Sequence, residues 1–347
     1  MFFDEFFKCD YNNSFKFFCV GGFHHMYFLS EIERFCSVTK QPFDMNYLSC
    51  VDRFSFELFD IEYFGVNVFR SCIVSKLYLK SSDYFRKCGA DDEVSMYSRT
   101  IEALNLLNSV NLIPIAFGTD IHDSSIALLD YSVRADGAPS GKMSINFRYF
   151  FEREQYVIPT YRRVFTSMGF YDLDEVVMKS VDCLFQNIGS GILCPVNIFG
   201  FLVDRSSLLG AKAYLTNSIN PGVDEMDNFP DKRLHNIMWA MVHLWKIVDL
   251  TRLDIVLKLL SEHSFKLAFY GINQDILSGI SYKMYFRTKE KSNWMFDEIF
   301  LNLKETICDI RLQICDLYKM GYFVEILALL FVNGRINGLQ FYFKKVD

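Results

Sequence analysis

Polar and apolar positions alternate along this chain in short runs that come in pairs, and every pair but the last precedes a longer stretch with apolar residues at helical spacing. The first pair covers residues 53–63 and 69–79, with a helix expected over 92–108. The second covers 126–134 and 142–150 around the turn-rich ADGAPSG, and a helical region follows at 158–187. The third, 195–203 and 211–216, precedes a helical region over 230–263, where Pro230 suits a first-turn position. The fourth, 266–272 and 280–287, precedes 293–319. The fifth, 323–332 and 338–344, is joined by NGRING, a strong hairpin turn signal. Residues 1–46 are rich in phenylalanine and are expected as a helical cover, and 111–123 suit neither strand nor helix.

Five ββα units in a row, with no Pro/Gly/Ser-rich linker between them, predict one domain over 1–347 with its repeats at about 50–347. Hairpins joined by helices give an antiparallel sheet with helices on one side. Closing such a sheet removes its edges. The expected fold is therefore α+β: a closed ten-stranded antiparallel barrel with a ring of helices outside and a lumen within.

Composition sharpens that picture. The chain is 51% hydrophobic, holds 36 Phe and 19 Tyr, and carries a net charge of -6. An aromatic interior fits these counts, whereas attraction to nucleic acid does not. The opening MFFDEFFKCD lacks the basic and apolar regions of a signal peptide, and no apolar run approaches bilayer length. A soluble, cytoplasmic protein without membrane or nucleic-acid partners is expected. Ten cysteines lack CxxC pairing and read as reduced thiols buried in the core.

The second strand of each hairpin repeats one signature: SKLYLK with Lys76 and Tyr78, GKMSIN with Lys142 and Ser144, AKAYLT with Lys212 and Tyr214, YKMYFR with Lys283 and Tyr285, and LQFYFK with Gln340 and Tyr342. Residues two apart on a strand share a face, so each pair projects together. A lone Lys-x-Tyr is ordinarily a solvated lysine beside a packed tyrosine. Five registered copies point instead to cations gathered in the lumen, where each unpaired ammonium carries a desolvation cost of several kcal/mol. That arrangement calls for a polyanion, and the tyrosine faces suit a carbocation, at about 0.5–2 kcal/mol per contact.

On these residues the sequence resembles the aromatic prenyltransferases of the αββα (ABBA) barrel. The resemblance implies diphosphate binding by Lys76, Lys142, Lys212, Lys283 and Gln340, and a tyrosine shield of Tyr78, Tyr214, Tyr285 and Tyr342. Ser144 departs from the shield pattern, and Asp130 and Ser132 are alternatives for the equivalent strand. Two short stretches, FSFE ending in Glu57 and GTDIHDSSIA at 118–127, are similar to the cyanobactin peptide prenyltransferases. That similarity implies a macrocyclic peptide acceptor facing Glu57, which takes the acceptor's proton or holds its donor group.

The implied reaction ionises dimethylallyl or geranyl diphosphate, with lysines stabilising the leaving group and an aromatic lumen excluding water. A magnesium ion bridging the diphosphate belongs to the same expectation, and no organic cofactor does. Two alternatives stay open: a prenyltransferase acting on a free indole, phenol or amino acid, and a non-catalytic barrel that binds a lipid or peptide. The chain has no DDxxD cluster, GxGxxG, P-loop, GxSxG or HExxH. His235 and His243 flank Trp239 on one helix without a third ligand and read as helix packing.

Overall fold

Ten strands form a single antiparallel sheet in the computed structural model, which describes residues 22–41, 43, 59–81, 126–135, 143–149, 162, 165–188, 196–203, 208–216, 231–288 and 296–346. The strands are β1 (Phe59–Phe69), β2 (Ile73–Ser81), β3 (Ile126–Ala135), β4 (Met143–Tyr149), β5 (Val196–Val203), β6 (Leu208–Thr216), β7 (Lys266–Asp275), β8 (Gly279–Arg287), β9 (Tyr322–Val332) and β10 (Arg335–Lys345). Each pairs with its neighbours in sequence, and β1 also pairs with β10, so the sheet curls until its first and last strands meet. Six helices lie among the described residues: α1 (Gly22–Thr39), α2 (Tyr171–Ile188), α3 (Asp231–Leu244), α4 (Leu250–Glu262), α5 (Phe296–Leu303) and α6 (Arg311–Lys319).

Alternation sorts the side chains of each strand between two environments. On β10, Leu339, Phe341 and Phe343 face outward into the main apolar core, and Gln340 and Tyr342 face the lumen. The outward residues are covered by helices. Phe341 meets Phe296 and Phe300 of α5 with ring centroids 5.4 and 6.0 Å apart. Phe35 of α1 stacks on Phe64 of β1 at 4.5 Å. Trp245, just past α3, stacks on Tyr282 of β8 at 4.6 Å and donates its indole N–H to Ser180 of α2. These aromatic contacts fix the helices to the outer wall and bury most of the large side chains there.

The expected hairpins recur with strand ends shifted by a few residues, except at β1. The sequence reading ends that strand at Tyr63 and begins the next at Phe69. In the structure β1 runs on to Phe69, because Gly65 pairs with Lys76 inside the sheet. The chain reverses instead at 70–72, where the Phe69 N–H donates to the Cys72 carbonyl at 2.9 Å. The NGRING turn is as read, with Asn333 and Gly334 both at positive φ (50° and 73°), the geometry that matches the twist of a two-residue hairpin.

Two helical regions expected as continuous are each two helices. The first breaks at Trp245–Ile247, where Lys246 takes a positive φ of 53°, and the second breaks between Leu303 and Arg311. The expected helix at 92–108 lies outside the described residues. Among those described, Cys36, Cys72, Cys183, Cys308 and Cys315 carry free thiols. Cys72 and Cys315 are exposed, which corrects the expectation that all lie in the core: Cys72 sits in the β1–β2 turn and Cys315 on an outer helix face. No described helix is long and apolar enough to cross a membrane.

Candidate active site in the lumen

The sheet register aligns the repeated signature. Within each hairpin, one residue of the first strand pairs with the signature cation or amide: Gly65 with Lys76, Gly200 with Lys212, Gly271 with Lys283 and Ala328 with Gln340. Between hairpins, each signature tyrosine pairs with the small residue of the next unit: Tyr214 with Gly271, Tyr285 with Ala328, and Tyr342 with Gly65. The same two rules applied to the second hairpin give Ser132 paired with Ser144 and with Tyr78, and Asn146 paired with Gly200. Ser144 therefore stands at the lysine level and Asn146 at the tyrosine level. This corrects the sequence register, which placed Lys142 and Ser144 at those positions. Lys142 precedes β4 and, like Glu57 and 118–125, lies outside the described residues.

The small residues have a physical purpose. A Cβ on Gly65 would stand 2.6 Å from Cε2 of Tyr78, and one on Gly271 would stand 3.0 Å from Cε2 of Tyr285. Each ring lies flat over the backbone because nothing projects beneath it. Gly65→Ala is expected to force Tyr78 off its shelf and to lower stability by about 1–3 kcal/mol, as overpacking does. A urea unfolding midpoint equal to wild type would refute that tight fit.

On these shelves Tyr78, Tyr342, Tyr285 and Tyr214 form a continuous arc. Ring centroids are 4.9 Å apart for Tyr78 and Tyr342, 6.1 Å for Tyr342 and Tyr285, and 5.9 Å for Tyr285 and Tyr214. Phe269 stacks on Tyr285 at 4.2 Å, and Ile326 and Ala328 complete this wall. Burial, with the neighbouring Tyr285 and Tyr78 hydroxyls adding to it, holds the Tyr342 hydroxyl protonated far above the ordinary tyrosine range.

One step along the strands, the lysine level is tied to the arc by hydrogen bonds. Lys283 donates to Oε1 of Gln340 at 2.9 Å, and Nε2 of Gln340 donates to the Tyr78 hydroxyl. Gln340 is only 2% exposed and spends both ends of its amide on this link. Lys212 Nζ lies 5.4 Å from the Tyr214 ring centroid and Lys283 Nζ lies 6.0 Å from that of Tyr285. Beside Gln340, Asn67 is 7% exposed and its Oδ1 has no hydrogen-bond partner among the described residues. Such an orphaned oxygen needs a donor or a cation. Sequence reasoning missed Asn67 and the glycine shelf, although a small residue recurs in the first strand of every unit.

Among the described residues no set of three His, Cys, Asp or Glu side chains gathers as a metal centre. His235 and His243 are exposed on α3, and His235 packs edge-on against Trp239. The chemistry described in the lumen lies in its cations, the amides of Gln340 and Asn67 and an aromatic wall.

This architecture and the inward Lys/Tyr levels give the chain the αββα prenyltransferase-barrel fold. Among solved structures it is similar to 5-dimethylallyltryptophan synthase from Streptomyces coelicolor, at 10% identity and a TM-score of 0.55, covering 92% of this chain and 97% of that one. It is also similar to the prenyltransferase PriB in its apo form, at 9% identity and a TM-score of 0.54, covering 93% and 96%. A third, AnaPT from Neosartorya fischeri, matches at 12% identity with a TM-score of 0.50, covering 82% and 78%. No protein-family model and no curated protein sequence matches the chain.

Proposed function

We propose that the protein is a cytoplasmic prenyltransferase that binds dimethylallyl or geranyl diphosphate in the lumen and moves the allylic group to a nucleophilic side chain of a peptide or a free amino acid. The observation that carries this reading is the Lys283–Gln340 hydrogen bond with Lys212 at the same level by register, directly beside four tyrosine rings at the next. Cations at one level suit the diphosphate, while ring faces at the next suit the positive charge that develops on the allyl group as the C–O bond breaks. Lys76 joins the same level by register. The 5-dimethylallyltryptophan synthase among the similar structures favours an aromatic amino acid as acceptor.

The lysines hold the leaving diphosphate, the tyrosine arc excludes water from the cation, and the Tyr342 hydroxyl stays protonated and unreactive. Glu57, two residues before β1, is proposed to hold the acceptor's N–H or O–H group. A magnesium ion fits the lumen through the orphaned Oδ1 of Asn67, a hard oxygen ligand of the kind this ion takes. When bound it would supply further neutralisation of the diphosphate charge.

The deciding experiment incubates the protein with dimethylallyl and geranyl diphosphate and a panel of L-tryptophan, L-tyrosine, L-arginine and cyclic peptides containing them, read by mass. A gain of one prenyl unit on an acceptor is expected. Binding of the diphosphates without transfer to any acceptor would favour the non-catalytic barrel.

A further inference from the structure

The lumen continues past the tyrosine arc. Two residues beyond Tyr285 stands Arg287, two beyond Tyr342 stands Lys344, and two before Gly65 stands Tyr63. Between them β9 carries a bulge: Tyr342 pairs with Ile326 and Phe343 with Val324, which leaves Glu325 as the extra residue. A bulge of this kind re-aims a side chain. The Glu325 carboxylate accepts from Nε of Arg287 at 2.7 Å and lies 3.4 Å from Nζ of Lys344, with its side chain 7% exposed. Tyr63 packs edge-on against Tyr342 at 5.9 Å and hydrogen-bonds Glu325. Burial first, then the charges of Glu62 and Glu325, keep the Tyr63 hydroxyl protonated, so it is the donor in that bond.

Three carboxylates are buried among the described residues: Glu31, Asp174 and Glu325. Glu31 of α1 pairs with Lys345, and Asp174 of α2 pairs with Arg162 at 3.1 Å. Both lie on helices of the outer layer. Glu325 is the one that a strand carries to the tyrosine wall. A buried ion pair adds little to stability, so its placement calls for another account.

Resting on the prenyl-transfer reading above, we propose that Glu325 takes the proton released by the acceptor, which therefore sits between the tyrosine arc and the Arg287–Glu325–Lys344 cluster. From Lys283 to Arg287 is four strand residues, about 13 Å, enough for a five-carbon unit and an aromatic ring. The step balances. The allylic C–O bond breaks with its electron pair leaving on diphosphate, the acceptor atom's pair forms the new bond to carbon, and the acceptor's proton passes to the Glu325 carboxylate. An alkylated acceptor is cationic and strongly acidic, so a carboxylate within reach of it can take its proton. Tyr63 is a positioning residue that fixes the carboxylate by its hydroxyl.

The test compares wild type with Glu325→Gln and Glu325→Asp in three measurements: inorganic diphosphate binding by calorimetry, acceptor-independent release of dimethylallyl alcohol, and transfer from dimethylallyl diphosphate to L-tryptophan, L-tyrosine and a cyclic peptide containing both. Glu325→Gln is expected to lose about 100-fold or more in transfer, while diphosphate binding and alcohol release stay at wild-type level. Glu325→Asp keeps the charge and recovers part of the loss, which a purely structural role would not produce at equal melting temperature. Wild-type transfer rates in both variants overturn the proposal. A wild-type protein that binds diphosphate yet alkylates nothing in the panel overturns the prenyl-transfer reading on which the proposal rests, as does one that fails to bind diphosphate.

Discussion

Replacing Lys212 and Lys283 together by alanine is expected to weaken inorganic diphosphate binding by about two to four orders of magnitude. Hydrogen bonds to charged groups contribute about 1.5–3 kcal/mol each, and each 1.4 kcal/mol is tenfold in affinity. Prenyl transfer should fall at least in proportion if, as proposed, the same contacts hold the leaving group as charge develops. Stability is expected to change far less than affinity, the lost Lys283–Gln340 hydrogen bond being worth about 0.5–1.5 kcal/mol. Calorimetric titration with inorganic diphosphate and a thermal scan give both numbers. Undiminished affinity in the double variant would remove the anion site from the lumen.

Phe341→Ala acts on the opposite face of the same strand. The ring is fully buried and meets Phe296 and Phe300 of α5, so its removal leaves a cavity between sheet and helix costing about 3–5 kcal/mol. The folded protein should still bind diphosphate with near wild-type affinity, because Gln340 and Tyr342 point the other way. A large fall in the denaturant midpoint with unaltered affinity separates wall from lumen. Equal losses in both would mean that the two faces are not independent.

Much of this was legible in the chain. The period-two alternation of 266–272 and 280–287 forecast β7 and β8, and the Asn333–Gly334 turn identified the last hairpin, because local backbone preference and burial agree there. The Lys-x-Tyr recurrence brought together Lys212, Lys283, Gln340 and their tyrosines by residue type alone. Where local and tertiary demands part, the reading went astray. Gly65 is a poor strand former by itself and falls outside the expected strand, yet it lies within β1 with the Tyr78 ring against its bare backbone. The second hairpin shows the same limit. Lys142 matched the pattern in sequence, but pairing across two neighbouring strands puts Ser144 in that row. Glu325 carries no local signal, since its orientation comes from a bulge defined only by β10.

The substitution of serine and asparagine in the second unit, where the other four carry Lys or Gln and Tyr, breaks the pseudo-fivefold symmetry of the scaffold. On the prenyl-transfer reading, a diphosphate held by the other four stations would sit off the central axis, toward β2, β6, β8 and β10. A near-symmetric container thereby gains a handedness that its repeats alone would not confer.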